Sequence, residues 1–266
     1  MADGRFLMNT LNSKIALVTG GGRGIGEACA VALAEAGADV VVCSRSSGEI
    51  NVVAEKIRAM GRGALAVVCD VTDADQVRRM AERVDSQLGA VEILVNNAGL
   101  GRSHRFVDHP DELWDRMLAV NLTSVYHVTK AFVPKMIEMR RGRVINIAST
   151  MSKIGGKYVA AYTAAKHGVL GLTRALAAEL VGYNITVNAV CPGYVNTPMT
   201  DDNVANIVAR TGMSETEARE TLERLNPQNR MIEPEEVAAM VVMLASDLAQ
   251  GINGQAINID GGAVMF

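Results

Sequence analysis

No charge of either sign dominates this chain. Lys and Arg number 26 against 29 Asp and Glu, a net charge of −3 over 266 residues. That balance gives no electrostatic case for nucleic acid or for an anionic membrane. No apolar run reaches the length that spans a bilayer. The first dozen residues carry Asp3, Arg5 and Asn9 and lack an apolar signal core, so residues 1–12 are expected to form a short tail. Cytoplasm is the expected compartment. Cysteines are few: Cys29, Cys43, Cys69 and Cys191 stand far apart, each within an apolar run. Their spacing is not that of metal ligands, no disulfide framework is expected at this size, and they read as small buried hydrophobes. No repeat of fixed period and no composition break divides the halves. With 49% hydrophobic residues, the chain has material for one large core, expected as a single domain over 13–266.

What is there is alternation. Short apolar runs that read as buried strands recur near 15–19, 39–43, 64–69, 92–95, 143–148, 184–190 and 255–259. Amphipathic stretches that read as helices separate them, among them 27–36, a long one over 110–138 with Pro134 kinking or ending it, 158–181, and 233–246 with Pro234 in its first turn. The segment 197–228 is polar, with weak helical pattern and no strand. Continuous apolar strands alternating with helices predict an α/β fold, a doubly wound parallel sheet covered on both faces.

The first strand runs into Gly20-Gly21-Gly22-Arg23-Gly24-Ile25-Gly26 and then a helix. Glycines let backbone approach a pyrophosphate, and a helix N-terminus offers free N–H groups and a partial positive charge. The spacing differs from Gly-x-Gly-x-x-Gly, and glycine clusters also close ordinary turns. Tyr162 and Lys166 lie four apart on one expected helix, hence on one face. A neighbouring ammonium favours the phenolate and lowers a tyrosine pKa, the tuning that proton transfer needs; the plain alternative is a packed ring beside a solvated lysine. Ser149 ends the fifth strand, at the carboxyl edge where open α/β sheets bind ligands, 13 residues before Tyr162. No Gly-x-Ser-x-Gly elbow surrounds it, which excludes a serine hydrolase of that type.

Together these residues resemble the short-chain dehydrogenase/reductase family. The resemblance runs from Lys14 to Gly262 and includes Thr19-Gly20-x-x-x-Gly24-x-Gly26, Asn96-Asn97-Ala98-Gly99, Asn121, Ser149, Tyr162-x-x-x-Lys166 and Pro192-Gly193. It implies a seven-stranded Rossmann fold, hydride transfer between nicotinamide and a carbonyl or alcohol, and a homotetramer built partly on the helices near 110–138 and 158–181. It implies four catalytic residues: Tyr162 as proton donor or acceptor, Lys166 lowering its pKa and holding the nicotinamide ribose, Ser149 as donor to the substrate oxygen, and Asn121 positioning a relay water. It assigns the cofactor to Gly20, Gly22, Arg23, Gly24, Ile25 and Gly26; to Asp70 and Val71 at the adenine; to Asn97, Ala98 and Gly99; to Tyr162 and Lys166; and to Pro192, Gly193, Val195, Thr197 and Met199. No metal site is implied.

Cofactor choice turns on the end of the second strand. An acidic residue there would accept from both ribose hydroxyls. This chain has Ser44 and Arg45, with Arg23 in the glycine loop, a set that suits a 2′-phosphate, so NADP(H) is expected over NAD(H). The rival is that Arg45 points into solvent. Met151 and Met199 fall in expected pocket loops, whereas His104 and His109 read as exposed loop residues and Trp114 as interface or core. Arg140, Arg141 and Arg143 read as a solvated turn. Carrier-protein reductases of this family use basic residues near there, but Tyr183 stands where a second one would fall. The segment 197–228 is expected to be a helical lid over a bulky substrate. The expected reaction interconverts a ketone and a secondary alcohol, a 3-oxoacyl thioester or a polyketide-like or cyclic ketone. The alternatives are an NAD(H)-dependent dehydrogenase of cyclic or aromatic alcohols and a silent nucleotide sensor, which would have lost the Tyr–Lys pair or Ser149.

Overall fold

Seven parallel strands form one sheet in the order β3-β2-β1-β4-β5-β6-β7: β1 Ile15–Thr19, β2 Asp39–Ser44, β3 Ala64–Val68, β4 Ile93–Asn96, β5 Gly142–Ile147, β6 Ile185–Pro192 and β7 Ala256–Ile259. The computed structural model describes residues 10–266, so residues 1–9 of the expected tail lie outside the described residues. Leu11, within that expected tail, is fully buried and donates its N–H to Ala36 O at 2.9 Å, so residues 10–12 belong to the packed fold.

The strands are largely apolar because both faces are covered. Ala16, Val18, Val40, Val42 and Ile145 face one side, against α1 (Gly24–Glu35), α2 (Ser47–Ala59) and α9 (Pro234–Ala245). Leu17, Val41, Leu94, Val144 and Val187 face the other, against α3 (Ala74–Gln87), α5 (Ser124–Met139) and α6 (Ala160–Leu180). The period of two in each strand thus feeds two cores rather than a core and a solvent face. All seven expected strands form, with ends shifted by a residue or two. The order reverses between β1 and β4, which opens a crevice at their carboxyl ends.

Two expectations change and a third is made definite. The long helix over 110–138 is not continuous: α4 (Asp111–Leu118) passes through a π-helical turn, Ala119–Thr123, before α5 begins. Pro134 does not end α5, which continues to Met139. It lies on the exposed side, where the carbonyl that its missing N–H leaves unpaired can meet water, and the helix stops at Arg140, in the left-handed region with φ 52°. The segment expected to be helical after β6 is so, as two helices, α7 (Pro198–Thr211) and α8 (Glu215–Glu223). Their ends explain this: Pro198 opens α7, Gly212 closes it at φ 74°, and Ser214 with Glu217 forms a capping box that starts α8. No helix among the described residues is long and apolar enough to cross a membrane.

Leu94 lies at the middle of the sheet with no exposed surface, whereas Val68 at the edge is 57% exposed. Leu94→Ala is expected to lower the free energy of unfolding by about 2–5 kcal/mol in urea titration, and Val68→Ala to change it by less than about 0.5 kcal/mol.

Candidate active site

The crevice begins with backbone. Gly20 and Gly24 take left-handed φ values of 64° and 56° to turn β1 into α1. Gly26 is required by closeness: a Cβ there would lie 2.1 Å from Gly20 O and 2.5 Å from Asn97 Nδ2. Arg23, at the N-cap of α1, makes no side-chain cap, so the first N–H groups of the helix remain available to an anion. The loop after β4 is pinned to this turn. Thr19 Oγ1 accepts from the N–H groups of Asn97 and Ala98, both at 3.0 Å, and Asn97 Nδ2 donates to Thr19 O at 2.9 Å and Gly20 O at 3.2 Å.

A groove of about 330 Å³ runs along these elements. It brings together Gly20, Gly22, Arg23, Gly24, Ile25 and Gly26 from the glycine turn; Ser44 and Arg45 from the end of β2; Asp70 and Val71 after β3; Asn97, Ala98 and Gly99 after β4; and Thr197 and Met199 at the start of α7. Burial pushes the Asp70 carboxyl up, but two hydrogen bonds from Thr72 and the charges of Arg45 and Arg116 outweigh it and hold the carboxyl below its usual range. Arg116 on α4 and Glu49 on α2 also line the groove, and the sequence reading missed both. Arg116 carries no local signal, since only the path of α4 brings it here. Glu49 stands 3.8 Å from Arg23. A glycine-lined cradle at an uncapped helix end, flanked by arginines, fits a dinucleotide.

The groove opens into a cavity of about 760 Å³, and Ile25, Asn97, Gly99, Thr197 and Met199 line both. Asn121, Ser149, Tyr162 and Lys166 line the cavity, as do Pro192, Gly193 and Val195. Every residue assigned to the site from sequence therefore lies on one of two adjoining surfaces. Met151 lines the cavity too, whereas His104, His109 and Trp114 line neither space. His104 and His109 are half-buried and meet edge to edge at 5.7 Å, and His109 in turn meets Trp114.

Each polar group is fixed by its element. Ser149 follows β5, and its Oγ accepts the Met151 N–H at 3.1 Å. The π turn delivers Asn121, which is fully buried. Its Nδ2 donates to Leu100 O at 2.9 Å and to Met117 O at 3.0 Å, and its Oδ1 accepts the Leu100 N–H at 3.0 Å. Lys166 is 5% exposed, donates from Nζ to Ile147 O at 2.8 Å and stands 5.6 Å from the Tyr162 ring centre. Burial pulls its ammonium down to about 8. Burial pushes the Tyr162 phenol up to about 12, against a hydrogen bond with Ser149 that pulls it down. This departs from the sequence expectation of a phenol lowered by its lysine: desolvation is the largest influence, and the bond with Ser149 is what opposes it. The arrangement presents a hydroxyl, a phenol and an ammonium on one wall, a set able to polarise a carbonyl oxygen and supply it with a proton.

Tyr194 is another residue the sequence reading passed over. It lines the cavity, and burial raises its phenol. The signal was its place directly after Pro192-Gly193. The basic cluster has a different role from a solvated turn. Arg143 is 5% exposed and meets Asp247 at 3.3 Å, Arg141 meets Glu92 at 2.7 Å, and Arg140 donates to Gly182 O. They brace the edge of the sheet where β5 starts.

Comparison with known proteins agrees with this fold. The family model described as short chain dehydrogenase matches residues 14–208. The chain is 41% identical over 255 residues to ketoacyl reductase 1 of the granaticin polyketide synthase of Streptomyces violaceoruber, covering 95% of this chain and 94% of that one. It is 37% identical over 255 residues to the 3-oxoacyl-[acyl-carrier-protein] reductase of Thermotoga maritima, covering 96% and 99%. Among solved structures, a variant of actinorhodin polyketide ketoreductase crystallised with NADPH superposes with a TM-score of 0.92 at 38% identity, over 96% of this chain and 98% of that one. A doubly wound sheet, a glycine-turn groove and a matched family model over most of its length lead to one conclusion: the chain belongs to the short-chain dehydrogenase/reductase family of oxidoreductases.

Proposed function

We propose that the protein reduces a ketone to a secondary alcohol with NADPH, and that the ketone is a 3-oxoacyl thioester or a polyketide-like or cyclic ketone. The observation that carries this reading is the convergence of Ser149, Tyr162 and Lys166 on one wall of a cavity continuous with the glycine-lined groove. The 3-oxoacyl and polyketide substrates named for the relatives support the substrate class.

The cofactor, when bound, supplies hydride chemistry at the carbonyl carbon. Ser149 Oγ and Tyr162 Oη donate to the carbonyl oxygen, preorganised for the charge that develops there. Tyr162 holds its proton through neutral pH, because its pKa is raised, and yields it to the forming alkoxide. Lys166 favours that transfer by its charge. Asn121 Oδ1 keeps a second acceptor position beyond its bond to Leu100, and there it orients the water that returns a proton through Lys166. Ser44, Arg45 and Arg116 receive the 2′-phosphate at the far end of the groove, and Arg23 offsets Glu49. The helices α7 and α8 act as a lid, since Met199, Asn203, Asn206, Leu222 and Leu225 all line the cavity from this segment. A homotetramer would pack the outer faces of α5 and α6, near exposed Tyr126 and Val181.

Loss of NADPH and NADH absorbance against a 3-oxoacyl thioester, a cyclic diketone and an aryl ketone tests the reading. Tyr162→Phe is expected to lower kcat/KM by about 10²–10⁴ and to leave NADPH affinity intact by fluorescence titration. Arg45→Asp is expected to lower the NADPH/NADH ratio of kcat/KM about tenfold or more; an unchanged ratio returns Arg45 to solvent. Lys166 is charged below about 8 and loses its charge above. Reduction is therefore expected to hold below that pH and fall as pH rises through it, with Lys166→Met abolishing the limb as well as most of the rate.

A further inference from the structure

We infer that the substrate carries an anionic group, a carboxylate or a phosphate, at the end remote from its carbonyl, and that Arg210 on α7 receives it. The inference rests on the reductase reading for the carbonyl end of the substrate. The anion end is argued from a different set of residues.

Helix α7 turns one face to the cavity. Met199, Asn203, Asn206 and Arg210 follow each other at intervals of three or four residues, and all four line the cavity wall. The other face packs: Val204 is 2% exposed and joins Ala218, Leu222 and Met231 in a small core of its own, and Asp201 is tied to Arg219 at 2.6 Å. The register of the helix is thus fixed by burial, and the stripe of two amides and a guanidinium is what it offers the substrate space. Along that stripe the polar groups are weakly engaged. Asn206 Nδ2 reaches Ser103 Oγ at 3.5 Å, and Arg210 Nη2 reaches Ser103 O at 3.5 Å, the long limit for a hydrogen bond. A guanidinium has five donors, and this one makes no other bond among the described residues.

The charge balance points the same way. Arg102, Lys157 and Arg210 line the cavity along with the buried Lys166, and no carboxylate does among the described residues. Arg102 is partly offset by Asp202 at 3.6 Å. Arg210 and Lys157 have no carboxylate partner among the described residues. In a chain with more acidic than basic residues, a cavity of one sign is a directed field that draws an anion. The rest of the lining includes apolar side chains, Ile154, Val159, Ile207, Leu222 and Leu225. The space therefore combines proton donors at Tyr162 and Ser149, apolar wall and a cation at Arg210, which lies eleven residues along α7, about 16 Å, from Met199 where the cavity meets the groove. The anion is not one of the cofactor's own phosphates, because Arg210 does not line the groove, which has Arg23, Arg45 and Arg116 of its own.

Isothermal titration of the enzyme in the presence of NADP⁺, where no hydride is available, tests this with two pairs of ketones. One pair is 5-oxo-5-phenylpentanoate and its methyl ester. The other is acetoacetyl-coenzyme A and the neutral acetoacetyl-N-acetylcysteamine. The anionic member of at least one pair is expected to bind about tenfold more tightly than its neutral partner, a preference that weakens with added salt. Preference in the first pair identifies a carboxylate on the ketone itself. Preference in the second alone identifies a phosphate on the group that carries it. Arg210→Gln, a change at an exposed position, is expected to remove the preference while affinities for the neutral ketones and NADP⁺ stay within about twofold, and Arg210→Lys to restore part of it. Equal binding within both pairs, no binding of any probe, or a preference that survives Arg210→Gln overturns the inference. Turnover of the same probes with NADPH separates it from the reading it rests on. An anion preference without turnover removes the reductase and keeps the site, and turnover without a preference does the reverse.

Discussion

The site depends on one close approach, that of α1 to the end of β1. With no side chain at Gly26, the first turn of the helix can rest against Gly20 O, and Asn97 reaches in from β4 to satisfy the carbonyls of Thr19 and Gly20. Thr19 Oγ1 returns the contact by accepting two N–H groups of the β4 loop. Backbone groups that would be orphaned at two strand ends are thereby satisfied by side chains of the opposite loop, in a partly buried floor of the groove. The groove floor, the helix N-terminus and the mouth of the cavity all take their positions from this knot. A methyl group at position 26 would strike backbone, which a flexible neighbour cannot relieve by moving.

A second constraint follows from burial. Lys166 and Asn121 are polar and almost without exposure, and each is held by backbone carbonyls rather than by a counter-charge. Holding an ammonium this way costs stability and shows as its lowered pKa, just as burial shows in the raised phenol of Tyr162. The two cores on either face of the sheet offset that cost. The π turn at Ala119–Thr123 belongs to the same economy of backbone: widening the helix by one residue there lets the Asn121 amide bond Met117 O and also clamp Leu100. The polar groups of the site are thus held by backbone bonds in β5, the β4 loop and the α4–α5 junction.

Some of this was legible from residue order. The alternation of apolar and amphipathic stretches gave the seven strands and the layer architecture, because a parallel sheet buried on both faces leaves a continuous apolar signature that few other arrangements produce. Ser149, Tyr162 and Lys166 were legible as a set, since a strand end and one helix face are local features. Arg116, Tyr194 and Arg210 were not. Each is polar or aromatic on an element whose position relative to the groove is set by packing against other elements. The helix break at Asn121 was missed for a related reason: a π turn has no distinct periodicity over five residues, and its sequence continues a good helix on both sides.

The electrostatic outcome divides along the same line. The sequence by itself determined the sheet, the glycine turn, the order of strands and helices and the identity of the polar groups on one wall, because these follow from short-range spacing and from the need to bury apolar runs. Only the tertiary structure decided that burial, rather than the lysine, governs the Tyr162 phenol, that the basic cluster 140–143 is spent on Glu92, Asp247 and a backbone carbonyl, and that Arg210 faces the cavity. Solvation and charge pairing depend on distances between residues far apart in the chain, and those distances exist only once the elements have packed.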